Sequence, residues 1–437
     1  MRPCLASLLA MVVALGLAAP ASADVVRPHS AAAFADSVGV STHIVYYSTA
    51  YGDWPRVVNR LQELGVRHLR DGVYGNPAPQ WRSWNDRYYR AVELASSRGM
   101  RFLFGMGRPG SETGSLDELA DVVARYRQAT DGLEAPNEFD HFVGGPGWTT
   151  ALRDYQRRLY QRVKGDPRLR SLPVVGPSFK GADAARRVGD QRSMLDVGNI
   201  HPYTGGRSPS PAHLHTELAR AAAVSARKPV WATEAGFHNA LRATSGQPGV
   251  SEQAAAVYLV RTFLEHFRAG IARTYAYELL DETAEPAGRL PERHFGLLRS
   301  DFSPKPAFTA LKNLLRAVGD DRTAGSLRPL GLTVTSAPRD LRRLVLRKRD
   351  GTYLVALWRE ASVWDTAARR PLRVAPRRIG VRMAGATRAS VADPVAGAGA
   401  RPLALRRGRT ALTIGANPLL LQVRAAAPGR AARSARR

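Results

Sequence analysis

Between residues 38 and 318 short apolar runs alternate with amphipathic stretches. The run 38–45 is followed by residues 54–64, where Val57, Val58, Leu61 and Leu64 recur at helical spacing. Residues 66–71 form the next run, closed by Gly72; 85–97 has helical periodicity again, and 101–106 is apolar. Ser115-Leu116-Asp117-Glu118 opens another helix as a capping box, the serine accepting from the backbone and the glutamate reaching back. A fourth run ends at Asn137-Glu138, before a Gly- and Pro-rich loop and a helix over 149–164. Strands are predicted at 172–176, 195–201, 229–233 and 271–279, with helices over 211–225, 251–268 and 305–318 and a weak helix before Asp190.

Eight strand–helix pairs in alternation predict parallel strands with helices outside. A (β/α)8 barrel is the simplest closure, and it places functional groups at the C-terminal ends of the strands. A doubly wound open sheet is the alternative, disfavoured because no glycine-rich phosphate loop follows the first run. From residue 326 the rhythm changes to short runs at 332–335, 343–347, 353–358, 372–374, 379–383, 389–391, 403–405, 411–414 and 419–423. That is an all-β pattern, expected as a small sandwich. The expected organisation is therefore a leader over 1–23, a barrel over 24–325, a β-sandwich over 326–424 and a basic tail over 425–437.

The leader reads as a secretory signal: Arg2, an apolar segment, then Ala21-Ser22-Ala23 as the small-residue cleavage site. Cys4, the only cysteine, lies within it, so the mature chain would have no thiol chemistry and no disulfide. No later stretch is apolar enough to span a bilayer, and a secreted monomer is expected. The formal charge of +27 invites a polyanionic partner, but the arginines are scattered over both halves. A nucleic-acid protein concentrates its charge, so no specific nucleic-acid partner is expected.

Two of the apolar runs end in carboxylates. Gly-Leu-Glu-Ala-Pro-Asn-Glu-Phe-Asp, 132–140, delivers Asn137 and Glu138; Lys-Pro-Val-Trp-Ala-Thr-Glu-Ala-Gly-Phe, 228–237, delivers Glu234. Alternation along a strand forbids Asn137 and Glu138 from facing one side unless a bulge or a strand end intervenes. Two glutamates at the ends of two strands meet the requirement of glycoside hydrolysis, a proton donor and a nucleophile or base. Each alone is as readily a solvated loop glutamate; their matched placement is the signal. Other strand ends carry Tyr46 and Tyr47, Arg70 and Asp71, His201 and Tyr203, and Tyr275, Tyr277 and Glu278. Against these stand plainer readings: Arg70-Asp71 as a structural ion pair, His201 as a turn residue before Pro202, and Asp281-Glu282 as surface acids. Tyr46, Tyr47, Tyr51, Trp54, Trp81, Trp84 and Trp148 fall in or beside strand-to-helix loops, as sugar-stacking groups or as rim packing. No pair of histidines has metal-ligand spacing, and no cofactor or metal is expected.

With Asn137-Glu138 on the fourth strand, Glu234 on the seventh and Arg70 on the second, residues 38–318 resemble the clan A glycoside hydrolases, the cellulase-like and β-xylosidase-like barrels. The resemblance implies Glu138 as acid/base, Glu234 as nucleophile and Asn137 as ligand of the sugar 2-hydroxyl. It implies Tyr203, with His201, as orienting groups and Arg70 as the cation that keeps Glu234 charged; Tyr277, on the eighth run, is expected as a further substrate contact. The acid must hold its proton while the nucleophile is charged, so their environments are expected to differ. Two departures are evident: Phe104-Gly105-Met106-Gly107 where many cellulase-like members carry a histidine, and Tyr275-Ala276-Tyr277-Glu278 where many carry a tryptophan. The expected function is retaining hydrolysis of an extracellular poly- or oligosaccharide. The alternative is a catalytically silent barrel that binds cell-wall glycan through the same cleft.

Overall fold

The computed structural model describes residues 24–319, 323 and 325–426; the leader 1–23 and tail residues 427–437 lie outside them. Eight runs become the strands of one parallel sheet: β1 (Val38–Ser41), β2 (His68–Gly72), β3 (Arg101–Gly105), β4 (Thr130–Glu134), β5 (Val174–Val175), β6 (Gly198–Ile200), β7 (Val230–Ala235) and β8 (Arg273–Ala276). β8 pairs with β1, Thr274 opposite Val38, and the bridge Val175–Val197 joins the β5 and β6 sides, so the sheet closes. The open doubly wound alternative is excluded.

Helix ends follow local chemistry. Asp53 accepts from the N–H of Arg56 at the start of Trp54–Leu64, and Gly65, at φ 88°, ends it in the left-handed conformation that glycine adopts without cost. The capping box at Ser115 forms, and Ser210 and Ser251 cap Pro211–Ser225 and Glu252–Arg268. The barrel is filled by Leu103, Val175, Val197, Trp231 and Tyr275. Tyr275 needs Gly39 opposite it, because a Cβ there would stand 2.5 Å from the ring.

The C-terminal strands form two sheets. One orders Asp24–Val26, Leu330–Thr335, Arg377–Met383 and Arg409–Ile414; the other Ala400–Leu403, Ala386–Ala392, Leu419–Ala425, Tyr353–Arg359, Leu341–Arg347 and His29–Ser30. Their facing sides bury a core that includes Leu332, Val355, Ile379, Val381, Leu421 and Val423. Two details differ from the sequence reading. Residues 24–30, counted there with the barrel, add an edge strand to each of these sheets. The strand predicted at 372–374 is absent; instead Trp364–Asp365 pairs with Arg370–Pro371, and Pro371, lacking an N–H, limits the ladder.

The β-domain packs on the barrel helix Glu252–Arg268. Leu344, Leu354, Trp358 and Leu420 belong to the same buried cluster as Tyr258 and Phe263. Trp358 Nε1 donates to Glu265 Oε1 at 2.9 Å, and Arg261 donates to Ser208 Oγ at 2.9 Å and the carbonyl of Ala361 at 2.7 Å. No helix among the described residues is long and apolar enough to cross a membrane.

Candidate active site

β4 ends at Glu134, and Pro136 carries the chain off the sheet. Glu138 then adopts φ 38°, ψ 50°, a left-handed conformation that costs a non-glycine residue of order 1 kcal/mol or more. The turn is held because the Glu138 N–H donates to Ser178 Oγ at 3.2 Å and its carbonyl accepts from the N–H of His141 at 2.8 Å. A strand end with a positive φ, rather than a bulge, thus brings Asn137 and Glu138 to one site.

Arg70 on β2 organises the floor. Its Nε and Nη2 donate to Glu134 at 2.6 and 3.2 Å, its Nη1 to Glu234 Oε1 at 2.7 Å, and Nη2 also to Asn137 Oδ1 at 2.7 Å. The plain ion pair with Asp71 is therefore not formed. Asp71 instead accepts from Thr42 Oγ1 at 2.7 Å and the N–H of Ile44 at 3.0 Å, and burial pushes its pKa up to about 6. Glu134, fully buried, was not singled out by the sequence reading. It also accepts from Asn199 Nδ2 and Thr233 Oγ1, both at 2.8 Å.

Tyr203 donates to Glu234 Oε2 at 2.7 Å, and His201 Nδ1 stands 3.0 Å from Glu138 Oε1 and 3.4 Å from Glu234 Oε2. His201 is a site residue, not only a turn residue. An oxygen of Glu138 and one of Glu234 lie within 4.8 Å of each other and of the His201 nitrogen.

The tautomer of His201 follows from its neighbours. Asn199 Nδ2 donates to Glu134 and to the carbonyl of Gly176, which turns Asn199 Oδ1 toward Thr233. The single hydrogen of the Thr233 hydroxyl goes to Glu134 or to Asn199 Oδ1, both acceptors at 2.8 Å. Thr233 Oγ1 must therefore accept from His201 Nε2, 2.9 Å away, which leaves Nδ1 to face Glu138 Oε1 at 3.0 Å.

Burial pushes both carboxyls up, yet both end below the ordinary glutamate value. His201 and Arg70, then the Tyr203 hydrogen bond, outweigh it at Glu234; His201, then Lys180 and His141, outweigh it at Glu138. The expected contrast between two environments is absent because one imidazole serves both. Glu138 is thus paired with His201 rather than being an isolated carboxyl in an apolar pocket.

The opposite wall comes from β1 and β8. His43, missed in the sequence, places Nδ1 2.7 Å from Glu278 Oε2, and Tyr51 donates to the same oxygen at 3.0 Å. Glu278 is fully buried and its Oε1 has no partner; burial raises its pKa, and its charge in turn outweighs burial at His43 and pushes that pKa up to about 9. Tyr277 donates to Glu292 at 3.1 Å and makes an edge contact with His43, and Tyr46 stacks on the same ring. Asp281 is not a surface acid: it is buried and paired with Lys305 at 2.8 Å, and Glu282 pairs with Arg293. Among the loop aromatics Tyr51 and Trp148 are buried packing, whereas Tyr46 and Trp84 are exposed. Two trios, His43/Glu278/Glu282 and Glu138/His201/Glu234, bring metal-ligand types within 4.8 Å. In each a His–Glu hydrogen bond is formed, with Tyr51 donating to Glu278 and Arg70 to Glu234, while Glu278 Oε1 has no partner among the described residues.

No protein-family model matches the sequence, and no curated protein matches it. Solved structures do. A family 39 glycoside hydrolase from the gut symbiont Bacteroides cellulosilyticus WH2 aligns with TM-score 0.60 at 18% identity, over 91% of this chain and 81% of that one. The GH39 enzyme from Xanthomonas axonopodis pv. citri gives 0.58 at 16%, over 95% and 100%. A monomeric beta-xylosidase from Caulobacter crescentus CB15 gives 0.60 at 15%, over 93% and 98%. The chain therefore has the fold of these clan A glycoside hydrolases, barrel and β-domain together.

Proposed function

We propose that the protein is a retaining glycoside hydrolase acting on an extracellular poly- or oligosaccharide. The observation that carries this reading is the approach of Glu138 and Glu234 to within 4.8 Å across one imidazole. Retaining enzymes hold their carboxyls about 5–5.5 Å apart, whereas inverting ones leave about 6.5–9.5 Å for a water. Glu234, charged and held by Arg70 and Tyr203, attacks the anomeric carbon. In this reading Glu138 and His201 Nδ1, 3.0 Å apart, hold one proton between them; the leaving oxygen takes it as a glycosyl ester forms on Glu234. Glu138, now without its proton, takes one from the water that hydrolyses the ester. Asn137, whose Oδ1 is held by Arg70, has its amide N–H2 left to meet the sugar 2-hydroxyl. Secretion rests on the leader pattern of residues 1–23.

The test begins with aryl glycosides, xylosides first because one structural neighbour is a beta-xylosidase. Proton NMR of early products should show the substrate's own anomeric configuration. Glu234→Ala should lose turnover by a factor of about 10⁴ or more and form a glycosyl azide when azide is supplied. Glu138→Ala should spare substrates whose leaving group needs no proton. Inverted product would overturn the mechanism; glycan binding with no released reducing sugar would replace it with a binding barrel.

A further inference from the structure

The two sides of the barrel mouth differ in their charged groups: on the β8–β1 side the acids outnumber their partners His43 and Arg293, while the β3–β5 side carries cations without a carboxylate partner among the described residues. On the β8–β1 side stand Glu278, Glu282 and Glu292 beside Glu234. Burial raises the pKa of the first three, and their mutual repulsion adds to it. An anion in that pocket would meet a buried carboxylate, Glu278, whose free Oε1 only accepts from a donor. The β3–β5 side is the opposite. Lys180, after β5, and His201 act electrostatically on Glu138, while His201 and Arg70 act on Glu234. Lys180 Nζ donates to His141 Nε2 at 3.1 Å, a neutral acceptor, and Arg108 lies 6.0 Å above the Phe142 ring. Neither Lys180 nor Arg108 has a carboxylate partner among the described residues. Asp140 accepts from the backbone N–H of Lys180 at 3.3 Å and of Gly181 at 2.7 Å, not from the ammonium. Phe142 is 55% exposed, a large apolar ring beside the cations that no core contact explains.

Resting on the reading of Glu138 as the acid, we infer that this cationic, aromatic ledge is the leaving-group subsite, and that it binds an acidic sugar unit while the glycone pocket takes an uncharged one. The acid protonates the leaving oxygen, so groups beside Glu138 and away from Glu234 meet the departing sugar. Phe142 offers that sugar a face to stack on, and Lys180 with Arg108 offers its anionic group a counter-charge. The substrate class is thus an acidic heteroglycan cut on the reducing side of a neutral residue. The net charge of +27 favours approach of such a polyanion.

The test compares the full chain with Lys180→Gln, Lys180→Glu and Lys180→Arg on three aryl glycosides of the same sugar: 4-nitrophenyl, 3-carboxy-4-nitrophenyl and 3-sulfo-4-nitrophenyl. The ratio of kcat/KM, anionic over neutral aglycone, cancels differences in the glycone. Relative to the native chain it should fall about three- to tenfold in Lys180→Gln, the range of a partly exposed charge pair. It should fall further in Lys180→Glu, stay near native in Lys180→Arg, and shrink as salt is raised. The change should reside in KM. A carboxylate effect without a sulfate effect identifies a uronic acid; the reverse identifies a sulfated sugar. Unchanged ratios in Lys180→Gln and Lys180→Glu, with the neutral glycoside still cleaved, would overturn the inference and leave the glycosidase reading intact. If no glycoside is cleaved, the glycosidase reading fails, and the ledge is judged by calorimetry with trigalacturonate and its carboxyl-reduced form. Weaker binding of the acid form by Lys180→Glu supports the ledge, and equal affinities reject it.

Discussion

Glu234 keeps its charge in a buried place because Arg70, Tyr203 and His201 converge on it. The sign of the resulting pH dependence is fixed. A carboxyl with a depressed pKa stays ionised below the ordinary value of 4.5, so the acidic limb of kcat/KM should lie below pH 4.5. Tyr203→Phe removes one donor to a charged oxygen, a loss of about 1.5–3 kcal/mol, and should lower kcat/KM roughly ten- to hundredfold while moving that limb upward. A pH–rate profile in which the limb stays put would assign Tyr203 a purely spatial role. The residues that meet at the barrel mouth were legible because each ends an apolar run: Arg70, Asn137, Glu138, His201, Tyr203 and Glu234. Glu134 and His43 were not. A carboxylate inside the run that ends at Asn137, and a histidine just past the first run, are ordinary in sequence. Only closure of the barrel brings Glu134 to Arg70, 64 positions away, and His43 to Glu278, 235 positions away.

At the scale of elements, agreement follows how local the determinant is. Pro211–Ser225 stands where periodicity placed it because Ser210 and Pro211 start it by themselves. Strands were overestimated: Ile44 and Val45 continue the first apolar run and are buried, yet β1 stops at Ser41. Burial in a loop beneath the rim and burial in a strand leave the same apolar signature. Asp281 was misjudged for the same reason in reverse, since its partner Lys305 precedes the last barrel helix, far along the chain. Both groups are buried, with the Asp281 pKa raised and that of Lys305 lowered by the loss of water. Lys305→Met leaves a buried carboxylate without its cation and should destabilise the protein by about 3–5 kcal/mol. Adding Asp281→Asn should recover part of that loss in denaturant unfolding. If the double variant is no more stable than the single one, the pair is not the source of the effect.

At the scale of the whole molecule, the barrel and the β-domain share one core and two crossing connections. The chain contributes Asp24–Val26 and His29–Ser30 to the β-sheets before it enters the barrel, so the β-domain is built from both ends of the described chain. Leu344, Leu354 and Trp358 then fill the same apolar cluster as the barrel helix Glu252–Arg268, and Arg261 reaches across to the carbonyls of Ala361 and Ala416. Detaching the β-domain would expose this apolar face to water and break the Arg261 hydrogen bonds to the carbonyls of Ala361 and Ala416. The full chain should therefore unfold in one transition, with calorimetric and van't Hoff enthalpies equal. Trp358→Ala, which empties a fully buried ring and leaves Glu265 Oε1 without its donor, should cost about 3–5 kcal/mol and lower that single midpoint. Near-ultraviolet signals from the β-domain and loss of hydrolysis at the barrel mouth should move together. Two resolved transitions, with the variant shifting only one, would instead make the β-domain an independent unit. Its contact with Glu252–Arg268 would then be an adhesive surface between two folded bodies rather than part of the core that forms the active site.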